Sequence, residues 1–527
     1  MRIALMMGGA VMGLVTAAAE ASVTPAEMAE MRKWVAVKLE NAAPPEPSGS
    51  LTVLAHFDAV WRNCRVDRPL TLGAREYRRG LFTHAPSDLL GKGLPVEIGS
   101  RPGSALFTYK RAGLGSASET CSGAEPVTAE PERYTLEHCV LEVAAPVEVG
   151  RAEGHYWFSS MHPLQGQDVR GAEALRALVC GVVLSDDKPQ GKWPAALCLS
   201  RDGGASWRRV RDIECYYGPI STLLGPRKIL LMPYETWPVS PEDKRNAVAD
   251  GAVLTLGDDG VLATEQAPVK FCNFPRDLAD YHIGEVCLFA SGNILPLNDG
   301  RLFATVYGKF AGDTKYSVWS VTSDDRGFTW RFQATVANGQ ELTDAVEGPN
   351  ESNTARLAMT GGAEALRAPG LVCVYRTGSG ADYCKSYSRD EGATWTAPER
   401  MDGVFSVEPQ LLRLANGVLL LSGGRQGLFV WVCADGEGKK WERVNLAEHH
   451  NRHVQDKALH YADAFCEAKG VDPPQSTSYT GMAAVGPNEV LLCYDRLGNG
   501  SEGAPGPWGA FDVVFCVRLT VMPSRPQ

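Results

Sequence analysis

Glu351-Ser-Asn-Thr-Ala-Arg-Leu357, Leu371-Val-Cys-Val-Tyr-Arg376 and Ser388-Arg-Asp-Glu-Gly-Ala-Thr-Trp395 follow one another in a single stretch of the chain. They read as two short apolar strands, each ending at a charged residue, and then a tight hairpin of pattern Ser-x-Asp-x-Gly-x-x-Trp. The hairpin recurs as Ser200-Arg-Asp-Gly-Gly-Ala-Ser-Trp207 and Ser323-Asp-Asp-Arg-Gly-Phe-Thr-Trp330, with a worn copy at Cys433-Ala-Asp-Gly-Glu-Gly-Lys-Lys-Trp441. One turn repeated four times is the signature of a repeat architecture.

Each residue type in the hairpin has a structural task. The Asp carboxylate and Ser hydroxyl accept backbone N–H bonds and hold the turn. The Gly takes φ > 0 without steric cost. The Trp buries a large apolar surface between neighbouring units. The hairpins are therefore structural, and no catalysis follows from them alone.

Around them the chain repeats a unit of four short strands. Six units are counted: 154–210, 220–267, 286–336, 351–400, 407–444 and a last one from Tyr479 through Val490 to Leu519. The second has only Gly257-Asp-Asp-Gly260 in place of a hairpin. The sixth shows three clear strands, and a strand from 134–147 is expected to complete it and close the ring. Four-stranded sheets repeated at this spacing predict an all-β, six-bladed β-propeller.

Composition agrees. The 55 glycines and 33 prolines suit an all-β chain with many turns. The net charge is −10 and there is no Lys/Arg-rich run, so nucleic acid and anionic membrane surfaces are poor partners. Arg2, the apolar run 3–15 and Ala19-Glu-Ala21 fit a secretory signal over 1–21, so the mature chain is expected to be exported. No later run is long and apolar enough to span a bilayer as a helix. Cys180, Cys198, Cys287, Cys373, Cys384, Cys433, Cys493 and Cys516 sit inside apolar strand patterns and read as core thiols. None has the close paired spacing of a zinc site, so no metal cluster and no cofactor is expected.

Residues 22–150 form a separate N-terminal segment, and 151–527 the propeller. Thr24 to Leu39 has helical periodicity and 42–50 reads as a linker. Asn63-Cys-Arg-Val-Asp-Arg-Pro-Leu-Thr-Leu-Gly73 and Arg79-Gly-Leu-Phe-Thr-His84 resemble the opening of carbohydrate-associated galactose-binding-like modules of the NPCBM type. His84 reads as a structural residue in a turn.

The repeated hairpin resembles the Asp box of the sialidase superfamily, over roughly 154–521. That resemblance implies a six-bladed propeller with its active site on the central axis, on the face opposite the Asp boxes. It implies that Glu351 on the first strand of the fourth blade and Arg376 at the end of its second belong to the site. Arg425, before the strand leading to the last Asp box, matches a further substrate-binding arginine. Ser478-Tyr479-Thr480-Gly481-Met482 matches the motif of the nucleophile, Tyr479. Asp187, or its neighbour Asp186, stands where the first blade carries the acid/base. A tyrosine serves because a carboxylate nucleophile would repel the carboxylate of a sialic acid, a recognised exception among glycosidases. Glu351 would take the Tyr479 proton, and Arg376 and Arg425 would grip the substrate carboxylate.

One position departs from that pattern. The first blade of the family opens on Arg-Ile-Pro, whereas the matching strand here is His155-Tyr-Trp-Phe-Ser-Ser-Met161 and has no arginine. Two arginines of a triad can be placed, and a smaller acidic or a neutral sugar would suit a site lined by His155, Tyr156 and Trp157. Each candidate also has an ordinary structural reading. Arg376 and Arg425 sit at strand ends, where surface arginines are common. Glu351 would cap a turn, Tyr479 would be a core aromatic, and Asp186-Asp187 would face solvent. Glu408, one blade later, competes with Glu351. His449-His450-Asn-Arg-His453 suggests a metal site but reads more simply as a solvated loop at the rim. The expected function is exo-acting hydrolysis of a terminal sugar from a glycan, sialic acid by default. The alternatives are a glycosidase or lyase for another sugar and a non-catalytic glycan-binding propeller. The sequence carries no signal for oligomeric state.

Overall fold

A computed structural model of the chain describes residues 130–523 apart from 168–172, 185–193, 258–261, 280–285, 358–369, 467–475, 499–510 and a few isolated positions. It also gives the backbone of six short strands, from β1 (Arg65–Val66) to β6 (Ala105–Phe107), paired as three two-stranded ribbons. The expected signal segment 1–21, the helix at 24–39, the linker at 42–50, and His84, Asp186 and Asp187 lie outside the described residues.

Three strands precede the first expected unit: β7 (Glu132–Thr135), β8 (Cys139–Val143) and β9 (Val147–Glu153). The first sheet then follows in chain order as β10 (Trp157–Gln167), β11 (Glu173–Val183), β12 (Ala195–Ser200) and β13 (Arg208–Ile213). The second sheet is β14 (Thr222–Gly225), β15 (Lys228–Leu231), β18 (Ala252–Leu256) and β19 (Leu262–Gln266). A hairpin, β16 (Glu235–Ser240) and β17 (Asp243–Ala249), is inserted in its middle.

That hairpin reaches into the third sheet. With β20 (Val269–Cys272) it joins β21 (Leu288–Pro296), β22 (Leu302–Gly308), β23 (Ser317–Ser323) and β24 (Thr329–Ala337) in a closed seven-stranded sheet. The third sheet is thus larger than the four-stranded unit expected there. It closes because Glu235 of β16 pairs with Phe289 of β21, while β20 runs parallel to β24.

The fourth sheet is again four-stranded, β25 (Ser352–Arg356), β26 (Leu371–Tyr375), β27 (Asp382–Ser388) and β28 (Glu399–Phe405). So is the fifth, β29 (Val407–Arg413), β30 (Leu419–Gly424), β31 (Phe429–Cys433) and β32 (Glu442–Asn445), which runs into helix α1 (Leu446–His453). The last sheet pairs β33 (Thr480–Ala484), β34 (Glu489–Arg496) and β35 (Phe511–Pro523) with β8 and β7, and β9 also pairs with β35. N-terminal strands therefore complete the last sheet.

Apolar clusters lie between each pair of successive sheets. Leu197 clusters with Leu254, Leu230 with Trp319, Phe303 with Leu371, Val374 with Trp431, and Val432 with Leu492. A further cluster, with Cys180 and Cys493, joins the last sheet to the first. Complete burial of such side chains is the main stabilising term, about 1.5–3 kcal/mol for each large one. The first strands meet in the order β10, β33, β29, β25, β21. Gly481 in β33 belongs at such a meeting, because a Cβ there would lie 2.8 Å from the carbonyl oxygen of Ser159.

The hairpins hold as their chemistry requires. In Ser388–Trp395 the Gly392 N–H donates to Ser388 Oγ (2.8 Å), Ser388 Oγ–H to Asp390 Oδ1 (2.9 Å) and the Thr394 N–H to the same Oδ1 (2.8 Å). The copies at Ser200 and Ser323 repeat these bonds. In the worn copy Cys433 Sγ replaces the hydroxyl, taking the Gly438 N–H at 3.2 Å. The cysteines among the described residues are unbridged, and most are buried, as core thiols should be.

Candidate functional site

Antiparallel order decides where the site forms. In a four-stranded unit the start of the first strand and the end of the second share one end of the sheet. The hairpins between third and fourth strands lie at the other end. Glu351 directly precedes β25 and Arg376 directly follows β26. Their backbones extend that ladder, with Arg376 N–H donating to Glu351 O (3.0 Å) and Asn350 N–H to Arg376 O (2.9 Å). Arg425 directly follows β30, and Tyr479 directly precedes β33. Four residues from three sheets thus come to the end opposite the hairpins.

They meet there. The Tyr479 hydroxyl donates to Glu351 Oε1 at 2.6 Å. Arg376 Nη1 donates to Glu351 Oε2 at 3.0 Å, and the Glu408 N–H donates to that same oxygen at 2.9 Å. Glu347 Oε2 also lies 3.5 Å from Arg376 Nη2. The Arg425 guanidinium lies 5.5 Å from the centre of the Tyr479 ring, a cation–π distance. Gly424 permits this crossing, since a Cβ there would lie 2.4 Å from Ser478 O.

The charges sort the two carboxyls. Glu351 is buried, which opposes ionisation, yet Arg376 and the Tyr479 hydroxyl hold its carboxyl below the usual range. Glu408, also buried, is pushed well above that range by burial and by the Glu351 charge. Burial, then the neighbouring Glu351, raises the Tyr479 phenol well above its ordinary value. Arg376 keeps its charge: burial opposes it, but Glu351 and Glu347 more than compensate. The shifts thus favour an ionised Glu351 facing a protonated phenol, and bias Glu408 beside them toward its neutral form. Separated protonation states of this kind mark acid–base sites.

The backbone is strained at the same place. Phe158 (φ 50°), Glu408 (φ 42°), Arg425 (φ 57°) and Gln426 (φ 63°) are four of the seven non-glycine residues with positive φ among the described residues. Two of the others, Arg326 and Glu391, sit in the hairpin turns. Phe158 and Glu408 fall at irregularities in pairing, between Trp157 and Ser160 and between Val407 and Gln410. Such residues cost about 1–3 kcal/mol each and concentrate where a side chain must be aimed.

Where the missing arginine would stand, the structure has aromatic rings. The Phe158 ring lies 4.6 Å from that of Tyr479, and His155 stacks on Trp157 at 3.9 Å. The expectation that Tyr156 lines the site is corrected. Its side chain is fully buried between the last and first sheets, with its hydroxyl 3.3 Å from Cys198 Sγ, because alternate residues of a strand face opposite sides.

Asp495, at the end of β34, was not singled out from the sequence. Its buried carboxylate accepts from Thr477 Oγ1 (2.8 Å), the Ser478 N–H (2.5 Å), the Ser478 hydroxyl and the Phe158 N–H (3.2 Å). It fixes Thr477 and Ser478, which directly precede Tyr479, and the backbone of Phe158, whose ring lies against that of Tyr479. An acidic residue at a strand end carries no sequence mark of such a role.

The histidine cluster is also corrected. It is no solvated loop: it forms α1, whose N-cap Asn445 accepts from the Ala447 and Glu448 N–H groups, and His449 and His450 are buried. The cap and the packing against β7 and β34 give these side chains partners that water would otherwise supply.

Residues 270–478 match the BNR repeat-like domain. No curated protein matches the chain. Similar solved structures include a protein of unknown function from Dyadobacter fermentans, with 19% identity and TM-score 0.44, covering 73% of this chain and 99% of that one. An α-L-arabinofuranosidase of Fusarium graminearum has 12% identity and TM-score 0.43, covering 71% and 97%. A point mutant of the NanB sialidase of Streptococcus pneumoniae has 11% identity and TM-score 0.38, covering 72% and 70%. The matched domain contains three of the four hairpins, those opening at Ser323, Ser388 and Cys433, so residues 270–478 carry a BNR repeat-like domain.

Proposed function

We propose that this protein is an exported, exo-acting glycoside hydrolase on a six-bladed propeller, removing a terminal acidic sugar of the sialic-acid type from glycans. The apolar clusters between successive sheets, last to first included, support the count of six, with the additional strands of the third sheet as an elaboration. The observation that carries the reading is the 2.6 Å hydrogen bond from the Tyr479 hydroxyl to an ionised Glu351.

A phenol with a raised pKa is a weak nucleophile until a base removes its proton. Glu351 is that base, held ionised and aimed by Arg376 Nη1 and the Glu408 N–H. As the proton passes to Glu351, the Tyr479 oxygen attacks the anomeric carbon and the glycosidic oxygen leaves with a proton. Asp187, or Asp186, would supply that proton as the family resemblance implies. The same acid, now a base, then activates the water that releases the sugar. Arg376 and Arg425 would face the substrate carboxylate, and Phe158 and Trp157 its ring.

A second reading rests on one observation. Aromatic rings, Phe158 and Trp157, occupy the place of the third arginine, which favours a less acidic or neutral sugar at the same centre. A panel of fluorogenic aryl glycosides separates the readings. Release from an α-sialoside supports the first. Release from a neutral glycoside alone supports the second. Silence across the panel, with the folded protein still binding glycan, would overturn both in favour of a binding propeller.

A further inference from the structure

Away from that centre, Glu132 on β7 meets His449 and His453 of α1, and the candidate ligand atoms of the three residues lie within 4.8 Å of one another. The histidines are spaced i, i+4, which puts them on one face of the helix. His449 Nε2 is 2.9 Å from the carbonyl oxygen of Ala144. A carbonyl only accepts, so Nε2 carries the ring proton and Nδ1 presents its lone pair. That lone pair faces Glu132 Oε2 at 2.9 Å, and His453 Nε2 lies 3.2 Å from the same oxygen. Two lone-pair atoms this close need a cation between them, either a shared proton or a metal.

We infer that Glu132, His449 and His453 form a site for one divalent cation of the zinc type, clamping β7 to α1. Two imidazoles and a carboxylate are a zinc-like donor set, and bonds of about 2.0–2.1 Å in a tetrahedral shell set ligand atoms about 3.3 Å apart. The 2.9 and 3.2 Å separations from Glu132 Oε2 need only a few tenths of an ångström of opening, and the two histidine nitrogens lie within 4.8 Å of each other. Ala144 O fixes the His449 tautomer in the way an outer partner of a ligating imidazole does. Arg452 orients the carboxylate, with Nη2 at 3.0 Å from Oε1 and Nε at 3.3 Å from Oε2. A carboxylate oxygen has two lone pairs, so Oε2 can keep Arg452 and still serve a metal.

The fourth position belongs to the Tyr134 hydroxyl, 3.2 Å from His449 Nδ1, or to a water. His449 is buried while Glu132 and His453 keep part of their surface in solvent, which leaves a route of entry. Because α1 continues the fifth sheet and β7 edges the last, the metal would staple those two sheets at their outer border. The site uses none of the residues assigned to glycoside cleavage.

The test is calorimetric titration of Zn2+ into the chelator-stripped full chain. One Zn2+ per chain is expected, with Kd below about 1 µM and a raised Tm. His453→Gln and Glu132→Gln should each weaken binding at least about tenfold and abolish the Tm rise, the far-UV circular dichroism being unchanged. His453 is only partly buried, so that variant is expected to fold. Absence of stoichiometric binding to the wild type, or equal affinity in both variants, would overturn the proposal and leave a shared proton as the bond.

Discussion

The Tyr479 hydroxyl and the Glu351 carboxylate, 128 residues apart in sequence, are joined by a 2.6 Å hydrogen bond in which a protonated phenol faces an ionised acid. Removing the hydroxyl alone leaves the ring, its contact with Phe158 and the cation of Arg425 in place. Tyr479→Phe is therefore expected to lower kcat by roughly 10³-fold or more, the scale on which a nucleophile acting with its base is lost, with KM little changed. Steady-state kinetics on whichever glycoside the panel identifies checks this. A variant with near wild-type kcat would remove Tyr479 from the mechanism.

Glu351 and Glu408 compete for one role in the sequence and separate in the structure. Glu408→Gln replaces a neutral carboxyl by a neutral amide and should alter kcat less than about threefold, whereas Glu351→Gln should abolish turnover. The second change also replaces the carboxylate that accepts from Arg376 Nη1 by a neutral amide, leaving Glu347 as the remaining carboxylate beside the guanidinium, and should lower the unfolding free energy by about 1.5–3 kcal/mol. Equal loss in both variants would mean that the pair acts as a unit.

The same assignment has a pH signature. The Glu408 pKa is raised on folding, so its contribution to stability is fully present below 4.5 and is lost as pH rises through the folded-state value. Glu351, with a lowered pKa, behaves oppositely: its contribution is present above 4.5 and is lost as pH falls through the folded-state value. Denaturant unfolding from pH 5 upward should show Glu408→Gln gaining on the wild type by up to about 1.4 kcal/mol per pH unit, until Glu408 ionises in the folded state. A constant difference across that range would contradict a buried, protonated Glu408.

Arg425 offers the sharpest division between the two substrate readings. Its guanidinium stands over Tyr479 and would meet a substrate carboxylate. Arg425→Ala should reduce kcat/KM about 10²-fold for a carboxylate-bearing glycoside, the loss of one charge-assisted pair of bonds, and much less for a neutral one. A uniform loss across both substrates would assign Arg425 to positioning Tyr479 instead.

Local chemistry was the legible part of this chain. Each Ser-x-Asp-x-Gly-x-x-Trp hairpin is specified by residues within eight positions, so turns, repeat and β character all follow from reading along the sequence. The closed third sheet is different in kind. It depends on Glu235 pairing with Phe289 and on a parallel contact between β20 and β24, long-range choices that leave no local pattern. The site shows the same division. Glu351, Arg376, Arg425 and Tyr479 were reachable because their strand-end positions match a known arrangement. Phe158 and Asp495 were not, since neither a positive φ on a phenylalanine nor a carboxylate gathering four donors can be read from residue type.

The worn hairpin gives a stability prediction that is independent of function. Cys433 Sγ occupies the position of the serine hydroxyl, fully buried, contacting the Gly438 N–H at 3.2 Å and Asp435 Oδ1 at 3.0 Å. A thiol is a weak donor and acceptor, whereas a hydroxyl there would find both partners already aimed, so it would enter the turn without an unsatisfied bond. Cys433→Ser should stabilise the protein by about 0.5–1 kcal/mol, and Ser388→Cys, which degrades an intact copy, should destabilise it by a similar amount. Both are read as shifts of the denaturant midpoint at unchanged slope. Loss of stability on Cys433→Ser would show that the sulfur is retained for its packing, and that this turn is held by Asp435 and Trp441 alone.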